Sequence, residues 1–199
     1  SKDDFECHTI VGSFLYKQAV CDGISKAFKQ LCDLARINCN VVFGDSWNEY
    51  EKPQKHAWNM VKIDKDWYHI DVTWNINLSQ RFKYVRYDYF NIRESDVIKD
   101  HRNFDKLEIC DSLKNNFFYE NKCILNGRNE LEKFLVDKLN NIKNNNASKN
   151  IYFKLYLKEN EDACSLISIS KASIKTFYFS TGYTLNSNST QNVYLIRLN

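Results

Sequence analysis

The chain has 199 residues, 43% of them hydrophobic and 15% aromatic, with a net charge of +3 at pH 7. That length and apolar content allow a packed core without disulfide staples and exclude a disordered chain. The small net charge gives no reason to expect nucleic acid or an anionic membrane as partner, and no apolar run is long enough to span a bilayer.

In chain order, residues 1–20 show no clear period and read as an approach segment. From 22 to 36 the residues Ile24, Ala27, Phe28, Leu31, Leu34 and Ala35 recur at helical spacing. Cys21 therefore stands at the N-terminus of an amphipathic helix. There the helix dipole and free N–H groups favour a thiolate and can donate to an oxyanion. Residues 39–44 read as a short strand and 45–55 as a polar loop holding the single Pro. Residues 56–63 and 67–74 read as two strands joined at Asp64-Lys65-Asp66. A two- or four-residue turn would put His56 and Asp71 on one face of that hairpin; a three-residue turn would put them on opposite faces.

Residues 84–91 are expected as a strand and 94–99 as a short helix. Further on, 123–125 reads as a strand, 128–142 as an amphipathic helix, 143–149 as a polar linker and 151–157 as a strand. A helix over 162–176 and a closing strand over 192–198 complete the expectation. No internal repeat relates the two halves.

Seven cysteines are scattered at 7, 21, 32, 39, 110, 123 and 164, with no CxxC pair and no zinc-ligand spacing. Neither a metal nor a cofactor is expected. Six of the thiols read as structural and Cys21 as the exception. The chain begins at Ser1, and its sole Met is Met60. It is thus expected to be processed or excised from a longer protein. The compartment stays open: a signal peptide on the parent would make it secreted or cell-surface. The Asn- and Lys-rich, Pro-poor composition is expected of an AT-rich bacterial gene.

Three local sequences carry the chemistry: Val20-Cys21-Asp22-Gly23, His56-Ala57-Trp58-Asn59, and Trp67-Tyr68-His69-Ile70-Asp71-Val72-Thr73-Trp74. A thiol, an imidazole and a carboxylate are the parts of a cysteine nucleophile with its base and orienting group. In order and spacing these segments resemble the motifs of the bacterial transglutaminase-like superfamily. Tyr87-Asp88-Tyr89-Phe90 and Asp100-His101 are similar to the segment that follows the core in its clostridial-type members. The resemblance covers roughly residues 7–105.

It implies an α+β fold: a papain-like transglutaminase core over 1–109, with the cysteine helix packed on an antiparallel sheet, N-terminally truncated relative to the family. A small α/β domain of unknown role is expected over 110–199. By the same resemblance Cys21 is the nucleophile, His56 its base and later acid, and Asp71 the group that orients the imidazole. The implied reaction is acyl transfer on a peptide or protein through a thioester, as a thiol peptidase, amidase or protein-glutamine acyltransferase. The alternative is an inactive module of the same fold that binds peptide or cell-wall material. For the oxyanion, the Cys21 backbone N–H and the Gln18 side chain are candidates. Trp58 and Trp74 are expected in the core and as walls of the substrate cleft. His69 is expected to be structural, and His8 and His101 to lie at the surface or to serve as hydrogen-bonding residues. Oligomeric state is not legible.

Overall fold

A computed structural model describes residues 5–47, 52–145, 148–157 and 183–198. The chain divides into two compact units, Ser1–Phe117 and Phe118–Asn199.

In the first unit, short helical turns at Phe5–His8 and Gly12–Tyr16 lead into helix α1, Cys21–Leu34. Strands β1 (Cys39–Ser46), β2 (Gln54–Ile63) and β3 (Asp66–Ile70) follow. Helix α2 covers Val72–Phe82 and α3 covers Glu94–Val97. A two-residue strand, β4 (His101–Arg102), completes a four-stranded antiparallel sheet in the order β3-β2-β1-β4.

Strand β2 is central, and its middle is buried on both faces. Alternation sorts its side chains. Trp58 and Met60 enter one core with Val42, Tyr89, Ile92 and Val97, while Val61 joins Cys32, Cys39, Tyr68 and Ile70 in another. Helix α1 is pinned to the second face by two buried hydrogen bonds. Ser25 Oγ donates to the Ala57 carbonyl at 3.0 Å, and Asn59 Nδ2 donates to the Ser25 carbonyl at 3.0 Å. Leu31 and Leu34, expected on the buried stripe of this helix, are exposed instead.

Two more expectations fail here. Residues 72–74 continue the alternation of β3, yet the strand ends at Ile70 and Val72 opens α2. Asp71 is the reason: it has extended backbone and its Oδ1 accepts the Trp74 N–H at 2.9 Å, an N-cap that outweighs the strand preference of Val72, Thr73 and Trp74. Residues 84–91 form no strand. Side chains of α2 take backbone donors that a ladder would have used: Asn75 Oδ1 accepts the Tyr89 N–H at 3.0 Å and Ser79 Oγ the Arg86 N–H at 2.8 Å. The Arg86 guanidinium forms a fully buried two-point ion pair with Asp88, both bonds 2.7 Å.

Helix α4 (Phe117–Glu120) spans the boundary between the units. The second unit contains β5 (Ile124–Asn126), helix α5 (Gly127–Asn145), β6 (Asn150–Tyr156), β7 (Tyr183–Asn188) and β8 (Val193–Leu198). Its sheet runs β5-β6-β8-β7, parallel between β5 and β6 and antiparallel elsewhere. Leu131, Leu135, Leu139 and Ile142 form the buried stripe of α5, as their spacing predicts. That helix runs to Asn145, so the linker expected from 143 starts later. Strand β7 was not expected. The helix expected over 162–176 and Cys164 lie outside the described residues.

Candidate functional site

Cys21 is the first residue of α1, half-buried, and preceded by Val20 in extended conformation. The Val20 N–H donates to the Cys7 carbonyl at 3.0 Å, so the approach segment fixes where the helix starts. Gly23 is required by the same crossing, because a Cβ there would run into the Cys7 carbonyl.

His56 lies near the start of β2, and Asp71 directly follows β3. The hairpin between them turns on Asp64-Lys65, with Ile63 opposite Asp66. This two-residue turn is the parity that puts His56 and Asp71 on one face, and His56 Nε2 meets Asp71 Oδ2 at 2.7 Å. With Nε2 engaged, Nδ1 is the ring nitrogen left to face the Cys21 thiol, whose ionised form His56 and the Ala57 backbone both favour.

The electrostatics follow from burial and these contacts. Burial opposes a Cys21 thiolate, but the hydrogen bond and charge of His56 outweigh it and the thiol sits below its ordinary value. Burial likewise opposes an imidazolium at His56; hydrogen bonds to Asp71 and Cys21 overcome it and raise the group to about 9. Asp71 is fully buried, which favours the neutral acid. Hydrogen bonds from His101 and His56 reverse this and hold it down at about 2. Both shifts run in the direction of a thiolate beside an imidazolium.

His101 is the residue that sequence reasoning missed. Of the two roles expected, surface or hydrogen-bonding, it has the second: it is fully buried, with Nε2 3.1 Å from Asp71 Oδ2 and Nδ1 2.7 Å from Asp100 Oδ1, and its place beside Asp71 is what was not foreseen. Asp100-His101 is visible as a pair in the sequence, but nothing in the pattern brings it to Asp71, thirty residues away.

Aromatic rings enclose this cluster. Trp58 has no exposed surface. It stacks on His56 with centroids 6.0 Å apart and meets His101 edge-on at 4.7 Å. Its indole N–H donates to His69 Nδ1 at 3.1 Å, which makes His69 the Nε2–H tautomer and a buried structural partner. Trp74, half-buried, lies 5.7 Å from His56 and 4.7 Å from His101. Trp58 therefore sheathes the imidazoles and cannot be a wall of an open cleft. Gln18 has an exposed side chain three residues before Cys21, and its backbone N–H donates to the Gly12 carbonyl at 2.9 Å. His8 is exposed and contacts Asp22 Oδ1 at 2.9 Å.

His56, Asp71 and His101 also bring three donor atoms within 4.8 Å of one another, close enough for a metal ion. Hydrogen bonds among these groups and to Asp100 already satisfy them, so the cluster is chemically complete as a proton-bonded chain.

Comparison with known proteins fits this geometry. Residues 4–72 match the Transglutaminase-like superfamily. Kyphoscoliosis peptidase of Homo sapiens is 26% identical over 121 residues, covering 51% of this chain and 18% of that protein. Kyphoscoliosis peptidase of Mus musculus is 26% identical over 110 residues, covering 47% of this chain and 17% of that protein. The chain thus spans less than a fifth of the length of the curated relatives it matches. It carries a transglutaminase-like segment within an α+β fold, as its three motifs lead one to expect. Both relatives are mammalian, and the matches offer no support for a bacterial source.

Proposed function

We propose that the first unit is a cysteine-dependent acyl-transfer enzyme acting on peptide or protein amides. The observation that carries this reading is the half-buried Cys21 thiol at a helix N-terminus, held below its ordinary pKa by His56, whose Nε2 is tied to Asp71. The Cys21 thiolate attacks the amide carbonyl, and the His56 imidazolium protonates the departing amine or ammonia. A thioester on Cys21 remains. The neutral imidazole then takes a proton from water as its oxygen attacks, the carboxylic acid leaves, and the thiolate–imidazolium pair is restored. The Cys21 backbone N–H is the oxyanion donor we assign, with Gln18 as the candidate for a second. Hydrolysis is favoured over crosslinking, which needs a second site that admits an amine and excludes water. The name of the similar proteins, a peptidase, agrees with that choice.

The test is iodoacetamide labelling of the folded protein with peptide mapping, for wild type and His56→Ala. Cys21 should label ahead of the other cysteines with an apparent pKa well below about 8.5, and His56→Ala should remove that advantage. Labelling of Cys21 no faster than the other thiols would leave the inactive peptide-binding module as the reading to pursue.

A further inference from the structure

The mechanism above leaves one buried ionisable group on the cluster without a task. His101 is mounted rigidly. Its backbone pairs with Ser46 in the sheet, and the neighbouring Asp100 carbonyl accepts the Trp47 N–H at 3.0 Å. Its ring lies between two carboxylates, Asp71 Oδ2 at 3.1 Å and Asp100 Oδ1 at 2.7 Å. Tyr89 closes the far end by donating its hydroxyl to Asp100 Oδ2 at 2.7 Å.

A neutral imidazole has one N–H and one lone pair. Between two ionised carboxylates, a neutral ring would aim a lone pair at a carboxylate oxygen. The contacts are satisfied when both nitrogens carry protons, so this geometry suits a histidine cation. Asp71 Oδ2 then faces two imidazolium donors, His101 from one side and His56 from the other, while Oδ1 is taken by the Trp74 N–H. The two cations compete for the charge of one oxygen.

We propose that His101 is a positioning residue for the reaction assigned to Cys21 and His56: bridging Asp71 and Asp100, it fixes the Asp71 carboxylate and weakens that carboxylate's hold on the His56 proton. The inference rests on the thiolate–imidazolium reading of the site. Its consequence is chemical. A carboxylate shared with a second cation draws less on the His56 proton, so the imidazolium is a stronger acid toward the leaving amine. The ionisable groups facing His101 are Asp71 after β3, Asp100 before β4, His56 on β2 and Tyr89 in the segment after α2; His69 on β3 acts from behind Trp58. The two tryptophans exclude water from the contact, which keeps these charges effective on one another.

The experiment is the pH profile of Cys21 alkylation by iodoacetate, an anion that an imidazolium attracts. In the wild type the profile should be bell-shaped, rising as the ion pair forms and falling as His56 loses its proton at about 9. His101→Gln keeps an amide N–H for Asp71 and removes the charge. The falling limb should move up by roughly half a unit to one unit, and each unit is a tenfold change in the proton-binding constant. Tyr89→Phe should move it up as well, by less. Without the hydroxyl, Asp100 draws the His101 cation more tightly to itself, and that cation then competes less well for Asp71. A residue with a merely structural role would lower the melting temperature and leave the limb in place.

If His101→Gln does not fold, Tyr89→Phe decides by the sign of its shift: upward supports the proposal, and no shift or a downward one overturns it. A bell absent in the wild type, or retained in His56→Ala, would overturn the thiolate–imidazolium reading and this inference with it. A bell that His56→Ala abolishes but that His101→Gln and Tyr89→Phe leave unmoved would overturn the role of His101 alone.

Discussion

The Cys7 carbonyl occupies the space that a side chain on Gly23 would need. The same carbonyl accepts the Val20 N–H, so one backbone oxygen seats the chain on both sides of Cys21. The glycine two residues after Cys21 is thus explained by a chain crossing and by no feature of its own dihedral angles.

Gly23→Ala must push the approach segment away from the first turn of α1. Backbone is less able to yield than a flexible side chain, so a loss on the order of 1–3 kcal/mol is expected. Urea unfolding measures it. Cys21 alkylation in the folded variant should slow as well, because the thiol moves relative to His56. A variant with wild-type stability and labelling would show that the crossing does not constrain the site.

Asn59 is the other anchor of the helix. Its amide donates to the Ser25 carbonyl at 3.0 Å, to the Asn40 carbonyl at 3.4 Å and to Cys39 Sγ at 3.6 Å. Asn59→Ala removes all three from a fully buried position, and a cost of about 1–3 kcal/mol is expected. Circular dichroism on heating would report it as a lower melting temperature. An unchanged melting temperature would mean that Ser25 Oγ and packing hold α1 by themselves.

Stability should peak near pH 6.5, for reasons of opposite sign at two histidines. Burial holds His69 down at about 4. An unfolded histidine titrates near 6.5, so between those values the unfolded chain takes a proton that the folded chain refuses. Stability is lost as pH falls through that window, up to an order-of-magnitude bound of about 3 kcal/mol. His56 is raised to about 9. Its contribution is complete below about 6.5 and lost as pH rises through 9. Urea midpoints at pH 5, 6.5 and 9 test both arms, and a midpoint that does not fall from 6.5 to 5 would contradict the assignment of His69 as a buried neutral ring.

Much of the first unit was legible because its motifs are tied to local rules. The helical spacing from Ile24 to Phe28 places Cys21 at an N-terminus, whereas the length of the turn after Ile63, on which the alignment of His56 with Asp71 depends, stayed open until the register put Ile63 opposite Asp66. What was not legible depended on partners distant in sequence. Residues 84–91 have the aromatic, β-branched composition of a strand, yet Tyr89 is buried as a core residue with its N–H given to Asn75. His101 carries no periodic signal, since its position is set by β4 joining the sheet edge beside β1. The break after Ile70 had a signal, an Asp at a helix start, but its reading as a member of the catalytic group concealed its capping role.

That double duty of Asp71 has a consequence for its replacement. One oxygen serves the imidazoles and the other starts α2. Asparagine caps a helix about as well as aspartate, whereas alanine does not. Asp71→Asn should therefore keep α2 while stripping the negative charge that sustains the His56 cation, and the Cys21 thiol should drift back toward its ordinary acidity. Asp71→Ala should do both kinds of harm, fraying the helix and losing the charge, with about 0.5–2 kcal/mol of the damage due to the cap alone. Comparing the two by far-ultraviolet dichroism and Cys21 labelling separates architecture from acidity. A glutamate, one methylene longer, satisfies neither geometry, so the short carboxylate at this corner is demanded twice over.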